Sequence, residues 1–174
     1  MAVVNIKSNL VTNADATPVV LNSPYQSFSR PIVQTAVAAI GAPDTAASVY
    51  RFCRIPSSAL IQDIRLLNET SMTTGTSYKA GVIFTGTDGG GTVVTNSDTI
   101  FFSALSLVTQ RTVWTSVYAP SLLAGGVLAA NASLRIWELL GLTADPIKLY
   151  DLAVTAVTAA TVGGNLAMQV SYDQ

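Results

Sequence analysis

Histidine is absent from the chain and cysteine occurs once, as Cys53. Without imidazole the sequence lacks the commonest general base, the commonest zinc ligand and every nucleophile–histidine pair. A lone thiol forms no internal disulfide, which fits synthesis in a reducing cytoplasm. Charge is scarce too: Asp, Glu, Lys and Arg make up 11 % of the residues and the formal net charge is -1, against a usual charged share of about 25 %. The clustered Lys and Arg that nucleic acid demands are missing. No apolar run approaches the roughly 18 residues of a membrane span. The start, MAVVNIKSNL, has no basic stretch ahead of an apolar one, as a secretory signal would. These absences predict a protein that is not an enzyme, holds no metal or cofactor, and binds neither nucleic acid nor membrane.

What is present is small, apolar and uncharged. The 174 residues are 49 % hydrophobic with a mean hydropathy of +0.45. One domain of this size buries roughly 70 % of the surface its unfolded chain exposes. A surface of Thr, Ser, Asn and Gln is weakly hydrated, which predicts self-association. Residues 1–45 alternate short apolar pieces with the clusters NADATP, LNSPYQSFSRP and GAPD, and read as an extended arm carrying one or two short strands. Within it, Gln34 to Ile40 is compatible with a helical turn between Pro31 and Pro43. Residues 46–174 read as an all-β body, an antiparallel sandwich or jelly roll with one or two short helices. Its strands are expected at 48–55, 60–68, 79–84, 92–95, 111–118, 150–158 and 165–172, β-branched or aromatic runs bounded by turn residues. Alternation puts Arg51 on one face of the first of these and Tyr50, Phe52 and Arg54 on the other. The last two runs, joined by a Gly-rich connection, read as a C-terminal hairpin. NASLRIWELLG predicts a short helix capped by Asn131 and stopped by Gly141, and SDTIFFSALSL a second turn capped by Ser97 or Asp98.

The residues that carry chemistry elsewhere read here as structural. GTDGGGT (Gly86 to Thr92) has no Lys-Ser/Thr after it and leads into a strand-like TVVT, so it is a turn and not a phosphate loop. Cys53 sits in a strand with no partner base, which predicts a buried packing thiol. The carboxylates Asp15, Asp44, Asp63, Glu69, Asp88, Asp98, Glu138, Asp145, Asp151 and Asp173 are scattered, and Asn96 to Asp98 is a poor calcium match. Asn68-Glu69-Thr70 and Asn131-Ala132-Ser133 fit the glycosylation pattern, and with no secretory signal expected they read as coincidental matches. Tyr25, Tyr50, Tyr78, Tyr118, Tyr150, Tyr172, Trp114 and Trp137 are spread along the chain, as core or interface residues are; a sugar platform would cluster them.

The block VYRFCRIPSSALIQDIRLLNE (Val49 to Glu69), with AGVIF (Ala80 to Phe84), DTIFFSALSL (Asp98 to Leu107) and the end from Trp137 to Tyr172, resembles the head decoration, or cement, proteins of tailed bacteriophages. The resemblance implies a β-sandwich or jelly-roll body on the outer capsid surface of the virion, made in the bacterial host cytoplasm. Its implied partners are the major capsid protein, whose neighbouring copies it bridges, and itself, as a dimer before a trimer. Candidate partner-binding residues lie in the arm: Val4, Val20, Tyr25, Phe28, Arg30 and Val33. The competing expectation is a jelly-roll carbohydrate- or receptor-binding module of a phage particle.

Overall fold

The computed structural model describes residues 5–8, 12, 15, 31–41, 44–69, 77–84, 97–118, 134–158 and 162–174. Within them the β-branched and alternating runs form β1 (Asn5–Lys7), β2 (Ile32–Ile40), β3 (Val49–Pro56), β4 (Leu60–Asn68), β5 (Ser77–Ile83), β6 (Ser97–Ser106), β7 (Arg111–Ser116), β8 (Leu149–Ala156) and β9 (Gly164–Asp173), with one helical turn, α1 (Ile136–Leu139). The strands make a two-sheet β-sandwich, five-stranded β1-β3-β8-β5-β6 facing four-stranded β2-β9-β4-β7. Pairing is antiparallel throughout except for β1, which runs parallel to β3. Between the sheets lie Tyr50, Phe52, Ile55, Ile61, Ile64, Leu66, Tyr78, Leu152, Val154, Leu166, Met168 and Val170, all buried. Each large apolar side chain fully covered contributes about 1.5–3 kcal/mol.

Two bulges set which side chains reach this core. Tyr50 pairs with Val154 and Ile55 with Tyr150, so β3 takes five steps where β8 takes four, the extra residue falling between Arg51 and Cys53. The bulge lets both Tyr50 and Ile55 face inward. It also corrects the simple alternation: Arg51 pairs with Ala153 and Arg54 with Asp151, two residues apart on β8 and on one outward face. On β4 a register shift between Ile61 and Asp63 turns both Ile61 and Ile64 inward in the same way.

Several expectations are corrected. Gln34 to Ile40 is not helical: Ile32–Ile40 is a full strand whose Ala36, Ala38 and Ile40 are buried in the core, so the sandwich includes residues that the sequence placed in the arm. Asp98 to Leu107 is not a helical turn but lies mainly in β6, where Phe101 and Phe102 pack against the core. β8 and β9 are not a hairpin. β8 pairs with β3 and β5 in one sheet and β9 with β2 and β4 in the other; both have apolar faces, and two such faces bury each other across the roughly 10 Å between stacked sheets. The helix of 131–141 is the single turn α1, where Glu138 Oε2 accepts the Arg135 N–H at 2.7 Å and Gly141 ends the turn at φ +72°. Its Ile136 is fully buried, and the Ile136 and Trp137 N–H groups donate to Ala59 and Ser57 carbonyls of the β3–β4 turn, closing that end of the sandwich. Gly81 is required by packing, since a Cβ there would lie 1.9 Å from the Ser97 carbonyl oxygen. Asn131 and the expected strand at 92–95 lie outside the described residues.

Candidate interaction surfaces

The bulge in β3 builds an ionic cluster on the outer face of the five-stranded sheet. Asp151, 1 % exposed, accepts from Arg54 Nε at 2.8 Å and from Arg51 Nη1 at 3.4 Å. Arg54 Nη2 also donates to Asp15 at 2.7 Å, and Asp15 is paired with Lys7 at 2.6 Å. Burial raises the Asp15 pKa, but the hydrogen bonds and charges of Lys7 and Arg54 outweigh it and hold the carboxyl below its usual range. Ser8 completes the attachment: its N–H donates to the Arg51 carbonyl at 2.6 Å and its hydroxyl to the Phe52 carbonyl. The described N-terminal residues are thereby fastened to the body by a short parallel ladder at one end and charge at the other.

A second brace lies between the sheets. Asp44 accepts from Tyr50 Oη and from the Gly41 N–H, both at 2.8 Å, tying the β2–β3 connection to the core. Burial and the Asp44 charge push the Tyr78 hydroxyl up to about 12. At the end closed by α1, the loop before β8 is held by Ser57, whose hydroxyl donates to Asp145 Oδ1 and accepts the Lys148 N–H at 3.0 Å. Asp145 Oδ1 also accepts the Ile147 N–H at 2.9 Å. This network presents Ile147, 87 % exposed, in the left-handed region at φ +51°, a costly conformation for a β-branched residue.

No group of three His, Cys, Asp or Glu side chains is placed to hold a metal ion among the described residues. Cys53 is buried, and burial with the Asp151 charge pushes its thiol far above the ordinary value. The other carboxylates are dispersed: Asp63 pairs with Arg65, Asp98 with Lys79, and Glu69 accepts from Asn165. Asn68 is fully buried, its amide donating to the Leu107 and Thr109 carbonyls, so the side chain is not displayed at the surface as a glycosylation acceptor is. Tyr50, Tyr78, Tyr118, Tyr150 and Tyr172 are core residues and form no exposed stacking platform. Of the candidate partner-binding residues, Val33 stands on the outer face of β2, 57 % exposed, near Val37 at 50 %. Val4, Val20, Tyr25, Phe28 and Arg30 lie outside the described residues, as do Gly86 to Thr92. The ionic cluster went unread in sequence because it depends on the bulge, which no local spacing announces.

No family model and no curated protein matches the chain. Its fold, however, is found in two phage particles. A chain in the capsid of Ralstonia phage GP4 superposes with a TM-score of 0.61 at 12 % identity, covering 98 % of this chain and 97 % of that one. A chain in the capsid asymmetric unit of cyanophage Pam1 superposes with a TM-score of 0.51 at 16 % identity, covering 91 % of this chain and 96 % of the other. At these identities what is shared is the two-sheet architecture over nearly the whole length. No helix among the described residues is long and apolar enough to cross a membrane.

Proposed function

We propose that the protein is a structural component of a tailed-phage head, a decoration or cement protein that sits on the outer capsid surface and bridges neighbouring major capsid proteins. The observation that carries this is the fold it shares, end to end, with chains of two phage capsids. The physical character of the molecule supports it. A surface with little charge stays attached at any salt concentration, because burial of apolar area is not screened whereas exposed ion pairs are. The role is non-enzymatic, the protein acts as a homo-oligomer with a dimer favoured, and it is made in the host cytoplasm before joining the virion. Because residues 5–8 and Asp15 are fastened to the body, the bridging segment of this proposal is residues 16–30, with Val20, Tyr25, Phe28 and Arg30 among its contacts.

The test is addition of the full chain to heads of the source phage that lack it, followed by co-sedimentation and thermal rupture. Saturable binding with rupture moved to higher temperature is the expected result. Absence of co-sedimentation overturns the proposal, and retention of the free protein on a glycan array with no binding to heads points instead to the carbohydrate-binding alternative.

A further inference from the structure

Among the described residues the sandwich has four edge strands, and three of them carry features that discourage pairing with another chain. β1 has three residues and ends in Lys7. β7 includes Arg111 and meets β4 through a register shift. β6 carries Asp98 and meets β5 through two register shifts. Short length, charge and irregularity are the usual protections of a sheet edge. β2 has none of them: its nine residues, IVQTAVAAI, are uncharged, and its ladder with β9 runs without a shift from Ile32 opposite Tyr172 to Ile40 opposite Gly164. Among the described residues no strand pairs with its other edge.

We infer that β2 is the self-association edge, pairing antiparallel with β2 of a second copy about a twofold axis at Ala36. This builds on the self-association proposed above and does not depend on the capsid. Centred on Ala36, the register sets Thr35 opposite Val37 and Val33 opposite Ala39 of the other copy, while Gln34 meets Ala38. Odd-numbered residues meet odd-numbered ones, so the exposed valines of both copies share one outer face, each packing on the Thr35 or Ala39 opposite it. No like charges are brought together, because the strand has none. The two four-stranded sheets become one continuous sheet. The strand is already ordered by β9, so pairing incurs little of the entropy that ordering a loose segment costs. Self-complementarity of this kind is what an isologous interface requires.

Two double variants test the register: Thr35→Lys with Val37→Lys, and Thr35→Glu with Val37→Glu. Both positions are exposed on the outer face. Sedimentation velocity is expected to show a dimer for the unmodified chain and a dimer constant weakened tenfold or more for each variant alone. An equimolar mixture of the two should associate again, since each lysine then faces a glutamate across the twofold. A monomeric unmodified chain at 100 µM, variants that dimerise as the parent does, or a mixture that stays monomeric would each overturn the assignment. Hydrogen exchange on the unmodified chain tests it without substitution: amide protection in β2 must rise with concentration while that in β6 and β7 does not. No capsid enters these measurements, so their failure and the failure of the capsid role are told apart.

Discussion

Asp151→Ala strips the buried acceptor from between Arg51 and Arg54. The two guanidinium groups do not suffer equally. Arg54 keeps Asp15 at 2.7 Å and its side chain is 19 % exposed, so its share of the cost is close to that of a surface pair, about 0–1 kcal/mol. Arg51 has no such reserve: it is buried, its Nε already lacks a partner, and its Nη1 loses Asp151. Removing one member of a buried ion pair costs about 3–5 kcal/mol, and the 3.4 Å length of the Arg51 bond favours the lower end. At about 2–4 °C per kcal/mol for a domain of this size, melting should fall by about 6–12 °C. The assay is thermal unfolding followed by far- and near-ultraviolet circular dichroism. Arg51→Met combined with Asp151→Leu removes both charges and should recover most of the loss, because the penalty comes from a charge left unpaired and not from the pair itself. A drop of under about 2 °C for Asp151→Ala, or a double variant less stable than the single one, would refute the reasoning.

Ile147→Gly should stabilise the protein by up to about 1 kcal/mol, since it relieves a left-handed β-branched residue that buries nothing; urea unfolding with a lowered midpoint would contradict this. The N-terminal attachment should weaken in acid. Asp15 titrates below its unfolded value of about 3.9, so its contribution is complete above that pH and is lost as pH falls through the lower folded value, while Lys7 and Arg54 stay charged. Hydrogen exchange at the Ser8 amide should therefore lose protection between about pH 4 and pH 2 in the parent chain. In Asp15→Asn it should already be reduced at neutral pH. A flat profile in the parent would separate the attachment from Asp15.

Composition and local pattern determined much about this molecule. The missing histidine and sparse charge removed most chemistry from consideration, and β-branched and aromatic runs bounded by turn residues located β3, β4, β5, β7, β8 and β9 to within a few residues. The alternation of Leu166, Met168, Val170 and Tyr172 correctly marked one face of β9 as core. Where local signals were ambiguous the sequence failed: Ala-rich Gln34 to Ile40 and Phe-rich Asp98 to Leu107 have apolar spacings that suit a helix or a strand, and only neighbouring strands with open edges chose between them. The partner of each strand was equally illegible. β8 and β9 are adjacent in sequence and look like a hairpin, yet the buried area gained by facing their apolar sides across the core places them in opposite sheets. The Arg51–Asp151–Arg54 cluster was decided by tertiary structure alone. Alternation assigns the two arginines to opposite faces, and it takes one extra residue in β3, accommodated so that Tyr50 and Ile55 can both reach the core, to turn them to the same side.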